Sequence, residues 1–170
     1  GIDMAQPAVM VTTRVPSDSG SGRRQQETRS FRAVRTDLLA LAGWLGCWQV
    51  TRIGMEATSD YWKPVYFLLE REGFDCHLYH AGQVKALPGR PKTDKLDSVW
   101  LAKITERGSV ASSFVPPEEI RRLRTCTRYR RHLTRVRTSE KQRAEKLLED
   151  AHVKLSSVIT DIHGVSGRDM

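Results

Sequence analysis

The sequence predicts an α/β layer fold followed by a long, charged helical extension. Three observations carry that prediction. Strand-like alternation and helix-like periodicity succeed each other in the order β-β-β-α-β-α-β-α over residues 1–107. Residues 108–117, from Gly108 to Pro116-Pro117, then read as a linker. From Glu118 to Leu155 there is neither Pro nor Gly, so nothing interrupts a helix.

Taken in order, Gly1-Ile2-Asp3-Met4 and Ala8-Val9-Met10-Val11 read as two short strands turned at Pro7. Residues 16–30 are rich in Ser, Gly, Gln and Arg and are expected to form a flexible hairpin loop, with Phe31 in a short third strand. Val34, Leu38, Leu41, Ala42 and Leu45 then recur at helical spacing, with Gly43 and Gly46 near the helix end. Residues Gln49 to Met55 form the next strand, Ile53 and Met55 sharing a face, and Glu56 stands at its carboxyl end.

Ser59 or Asp60 is expected to cap a helix whose apolar face is Tyr61, Val65, Leu68 and Leu69. Pro64 fits its first turn and Gly73 its end. Phe74, Cys76 and Leu78 alternate with Asp75, His77 and Tyr79, as in a strand with unlike faces. After the loop Pro88-Gly89-Arg90-Pro91, Thr93 is the expected N-cap of a helix bearing Leu96, Val99, Trp100 and Ile104. The extension is read as helix over 118–158, either one long helix or a helical hairpin. Its seam (Leu123, Cys126, Leu133, Val136, Ala144, Leu147, Ala151, Leu155, Val158) is a coiled-coil pattern broken by arginines. Residues 159–170 read as the start of a further linker.

Charge narrows the partners. The net charge is +8 and the pI about 9.8, which favours a polyanion. The excess is concentrated in the extension, where Arg121, Arg122, Arg124, Arg128, Arg130, Arg131, Arg135 and Arg137 precede the first intervening acid, Glu140. A stripe of one sign is the footprint of a nucleic-acid backbone; the alternative is a solvated face beside an acidic neighbour. Cys47, Cys76 and Cys126 are scattered, which fits a reducing cytoplasm better than a disulfide framework. There is no stretch of apolar residues long enough to span a membrane, so no membrane partner is expected. Opening on Gly1 rather than Met, the chain reads as processed.

The candidate chemistry lies in acids. Asp94 and Asp97 are one turn apart on a helix face, where like charges repel unless a cation lies between them. Asp-rich first turns also complement the helix dipole, so the pair alone does not decide. Asp3 on the first strand and Glu56 at a strand end complete a set of four carboxylates. Such a set can hold two Mg²⁺ ions about 4 Å apart for phosphodiester cleavage. Lys92 and Lys95 suit a phosphate beside the metals. Cys76-His77-x-x-His80 has no second ligand pair to complete a zinc tetrahedron. Tyr61, Trp62 and Tyr66 read as core rather than as a base-stacking platform.

Four stretches, Gly1-Ile2-Asp3, Met55-Glu56-Ala57-Thr58 with Tyr61-Trp62, Gln83-Val84-Lys85-Ala86 and Lys92-Thr93-Asp94-Lys95-Leu96-Asp97, resemble the DEDD insertion-sequence transposases. That group includes the bridge-RNA-guided DNA recombinases. The resemblance implies a RuvC-like (RNase H-like) mixed sheet with flanking helices. It also implies Mg²⁺, with Mn²⁺ as a substitute, held by Asp3, Glu56, Asp94 and Asp97. It further implies a coiled-coil region that contributes to dimerisation or higher assembly, DNA and a guide RNA as partners, and a bacterial, nucleoid-associated location. The family's nucleophilic serine belongs to a further C-terminal domain, and Ser156, Ser157 and Ser166 do not match its motif. Two rival functions stand beside a transposase or recombinase: a hydrolytic RuvC-type nuclease using a metal-activated water, and a non-catalytic nucleic-acid-binding and dimerisation module.

Overall fold

A three-residue strand, β1 (Ile2–Met4), forms the centre of a five-stranded mixed sheet. The computed structural model describes residues 1–4, 8–17, 23–88 and 94–169, without the side chains of Asp94, Lys95, Ser156 and Arg168. The other strands are β2 (Ala8–Pro16), β3 (Arg24–Arg32), β4 (Arg52–Glu56) and β5 (Asp75–Tyr79), in the order β3-β2-β1-β4-β5. β1, β2 and β3 pair antiparallel, whereas β4 runs parallel to β1 and β5 parallel to β4. This order and these directions are those of a RuvC-like, RNase H-like sheet. The chain divides into two units, Gly1–Val115 and Pro116–Met170.

Strand alternation sorts the sheet into two faces. Ile2, Met4, Val9, Val11, Ile53, Met55 and Leu78 share the main core with α1 (Arg35–Cys47) and α2 (Trp62–Arg71). On the other face, Tyr79 forms a smaller core with Val84 of α3 (Ala81–Ala86) and with Leu101 and Ile104 of α4 (Asp94–Arg107). α2 ends in a Schellman turn: Gly73, at φ +90°, donates to the Glu70 carbonyl, and Phe74 N–H donates to that of Leu69. α1 ends in the same way on Gln49 at φ +50°, a position that favours glycine. That turn delays β4 until Arg52, three residues after the expected Gln49.

The expected hairpin loop is largely strand. β3 pairs with all nine residues of β2, from Ala8↔Arg32 to Pro16↔Arg24. It lies at the sheet edge with most residues exposed, so backbone pairing holds it and no apolar alternation is required. Val34 is the exposed N-cap residue of α1 rather than part of its apolar face. Neither Ser59 nor Asp60 caps α2: its N-cap is Tyr61, without a side-chain bond, and Asp60 instead pairs with Lys63 at 2.7 Å. Thr93 lies outside the described residues.

The segment after α4 is anchored to the sheet edge. Ser113 N–H donates to the Leu78 carbonyl at 2.7 Å, and Leu78 N–H donates to Ser112 Oγ at 3.2 Å. Those bonds satisfy part of the outer edge of β5.

In the second unit, α5 is one continuous helix, Glu118–Asp150, followed by a 3₁₀ turn (Leu155–Ser157) and α6 (Val165–Asp169). A hairpin is therefore excluded. α5 stops short of residue 158 because His152 adopts φ +60° and Val153 N–H returns to the Leu148 carbonyl, a Schellman ending without glycine.

Candidate functional site: carboxylates at the sheet end and an arginine face

Ile2 and Met55 are partners in the parallel ladder between β1 and β4. The next residue on each strand is Asp3 and Glu56, so the two carboxylates leave neighbouring strands on one face, about 4.8 Å apart in backbone spacing. Glu56 is 4 % exposed and Asp3 is half-buried. Both point to the face that α4 covers, because they alternate with the core residues Ile2, Met4 and Met55.

α4 runs antiparallel to β1 and β4. Ser98 bonds Thr12, whereas Glu106, two turns later, pairs with Arg14 further toward the amino ends of those strands. The first turn of α4 therefore lies toward the carboxyl ends, where Asp3 and Glu56 stand. Asp97 is half-buried on that turn, and Asp94 opens the helix. Lys92 lies outside the described residues, as do the side chains of Asp94 and Lys95.

The four acids thus come from a strand, an adjacent strand end and the helix across them. Among the described residues, no three His, Cys, Asp or Glu side chains converge closely enough to hold a metal ion. In chemistry the donor set fits a hard cation, since it consists of carboxylates with neither sulfur nor imidazole. A buried carboxylate such as Glu56 also calls for compensating positive charge or hydrogen bonds.

Sequence reasoning missed two polar contacts that seat α4. Thr12 Oγ1 shares hydrogen bonds with Ser98 Oγ at 2.7 Å and Thr28 Oγ1 at 2.8 Å. Glu106 is clamped by Arg14 at 2.6 Å and Arg24 at 2.5 Å, and the bond from Arg14 above all holds its carboxyl below the usual range. A cavity of about 410 Å³ lies at the opposite end of the sheet, beside Gly1, Arg14, Arg52 and Glu106, and neither Asp3, Glu56 nor Asp97 lines it.

The Cys-His stretch has local duties. His77 Nε2 lies 3.0 Å from Asp75, His80 Nδ1 accepts from Gly82 N–H, and burial pushes the Cys76 thiol up to about 12. Tyr66 is buried and Trp62 packs edge-on against it, but Tyr61 is 48 % exposed and lies outside the core.

All eight arginines of the stripe lie on α5, which has no buried residue. Arg121, Arg124, Arg128, Arg131 and Arg135 recur at alternating steps of three and four, which aligns them on one face over about 21 Å. Arg122, Arg130 and Arg137 leave other faces. Cys126, Tyr129, Leu133 and Val136 follow the same 3-4-3 rhythm on the side opposite the five. Arg121 donates to the Pro116 carbonyl at 2.8 Å and Arg122 lies 3.6 Å from Glu118. Arg124, Arg128, Arg130, Arg131, Arg135 and Arg137 form no ion pair with any described residue.

Among the described residues, no helix is long and apolar enough to cross a membrane. A family model for DEDD transposases of the IS110 type, described as Transposase, matches residues 1–153. No curated protein matches the chain.

Proposed function

The chain belongs to the DEDD transposases of the IS110 type, and on that premise we propose that its α/β unit binds divalent metal for DNA strand cleavage and exchange. Asp3, Glu56, Asp94 and Asp97 would hold Mg²⁺, or Mn²⁺ in its place. When bound, such an ion supplies Lewis-acid stabilisation of the charge that develops on phosphate oxygens. The chain's own share is to present carboxylate oxygens from a rigid strand pair and from the helix over it, and to keep Glu56 out of bulk water. The observation that carries this reading is the parallel register that sets Asp3 beside Glu56 under the first turn of α4.

The second unit supplies nucleic-acid binding. The arginine face of α5 tracks the phosphates of DNA, or of a guide RNA, by charge-assisted contacts that do not read sequence. The opposite apolar seam pairs α5 with a second copy as a coiled coil, giving a homodimer or higher assembly. Arg124, Arg128, Arg131 and Arg135, which form no ion pair with any described residue, on one face and an exposed Tyr129-Leu133-Val136 seam on the other support the two roles.

Calorimetric titration with Mn²⁺ tests the metal reading. The chain is expected to bind and the double variant Asp94→Ala/Asp97→Ala to lose that binding; equal weak binding by both overturns it.

A further inference from the structure

α4 meets the sheet through hydroxyls and glycines. Ser98 is 0 % exposed and Thr12 1 % exposed, and their oxygens lie 2.7 Å apart across 86 residues of sequence. Thr28 Oγ1 extends the chain of hydroxyls to β3. The approach is close: a Cβ on Gly54 would lie 1.9 Å from Thr105 Oγ1, and one on Gly1 would lie 2.2 Å from Ala102 N.

Two ends of this contact reach the carboxylates. Ser98 directly follows Asp97 and lies one turn after Asp94. Thr12 pairs through its backbone with Gly1, two residues before Asp3 on β1, by reciprocal bonds of 2.9 Å. The hydroxyl bond thus joins the helix that carries two of the acids to β2, the strand paired with the one that carries a third. An apolar contact would tolerate a slide of α4 along the sheet. A buried hydroxyl pair does not, because displacement by one residue rise (about 1.5 Å) breaks a 2.7 Å bond between two oxygens that are shut off from water.

We propose that the Thr12–Ser98 hydroxyl pair is a positioning device that sets the register of α4, and so holds Asp97 and Asp94 at the height of Asp3 and Glu56 for a divalent cation. This rests on the metal reading given above. Mg²⁺ and Mn²⁺ accept little error in ligand position, so a small shift of α4 should appear first in metal affinity.

The test is Mn²⁺ titration by calorimetry of the full 170-residue chain, with thermal melts of every variant. Ser98→Ala and Thr12→Val are expected to remain folded and to lose about tenfold or more in Mn²⁺ affinity. Thr12→Ser, which keeps the hydroxyl, should stay within about twofold of the unsubstituted chain. Leu69→Ala, a core truncation on the opposite sheet face, should lower the melting temperature and leave Mn²⁺ affinity unchanged. Unaltered affinity in Ser98→Ala overturns the inference alone, as does an equal loss in Leu69→Ala, which would reduce the pair to general stability. No binding by the unsubstituted chain overturns the metal reading and this inference with it.

Discussion

Ile2 of β1 and Met55 of β4 are paired in parallel register, and their successors, Asp3 and Glu56, therefore emerge side by side on the face that α4 covers. Two carboxylates so placed repel one another, and Glu56 has little water to screen the repulsion. A bound cation relieves it. The melting temperature of the chain should rise with added Mg²⁺, by an amount equivalent to about 2.7 kcal/mol at a hundred times the dissociation constant. Glu56→Gln, which keeps the shape and removes the charge, should abolish the rise. Differential scanning calorimetry with and without Mg²⁺ measures both; an identical rise in the variant contradicts the assignment.

Gly54 is required by the nearness of α4. Its substitution by Ala would press a methyl group against Thr105 Oγ1 and, at 2.6 Å, the Tyr79 ring. Overpacking of this kind costs about 1–3 kcal/mol. Urea unfolding of Gly54→Ala should show a loss of that size, and a variant as stable as the parent would mean that α4 sits further from the sheet.

The positions of β1, β2, β4 and β5 were legible because Ile2, Val9, Val11, Ile53, Met55 and Leu78 keep the alternation that a half-covered sheet requires, whereas the mixed sheet they form was expected from the family resemblance. β3 was not, because Arg24–Arg32 has one large apolar residue, Phe31, and is held through its backbone partner β2. The end of α5 was missed since the left-handed residue that terminates it is His152 and not glycine. The acids could be named from spacing and resemblance, because Asp94 and Asp97 share a helix turn. The Thr12–Ser98 bond could not, since nothing local connects residues so distant in the chain.

In the polypeptide beginning at Gly1, the terminal ammonium is buried and donates to the Thr12 carbonyl at 2.9 Å. Burial lowers its pKa to about 5, against 8.0 in the open chain. Between these values the unfolded state binds the proton and the folded state does not, so stability rises with pH. Below pH 5 the full penalty applies, on the order of 4 kcal/mol, and it fades as pH reaches 8. Urea unfolding at pH 5, 6.5 and 8 should give increasing free energies; a flat profile contradicts the burial of this group.

The arginine face of α5 predicts a salt dependence. If Arg121, Arg124, Arg128, Arg131 and Arg135 each touch a duplex phosphate, log K should fall against log salt with a slope of about −4.5. Replacing Arg124, Arg128 and Arg131 by Ala should make the slope shallower by about 2.7. Replacing Arg130 and Arg137, which leave other faces, should change it little. Fluorescence anisotropy of a labelled duplex across a salt series distinguishes the two sets. Equal effects would mean that the charge acts as a diffuse cloud and not as a face.

A single metal site assembled from β1, β4 and the first turn of α4 has a direct chemical signature. Ferrous iron, supplied in place of Mg²⁺ with ascorbate and peroxide, cuts a polypeptide backbone where it is bound, and mass spectrometry locates the cuts. Cuts are expected in groups near Asp3, near Glu56 and near Asp94–Asp97, all suppressed together by excess Mg²⁺ and by Glu56→Gln. Cuts confined to one of these segments, or scattered along the chain and indifferent to Mg²⁺, would contradict it.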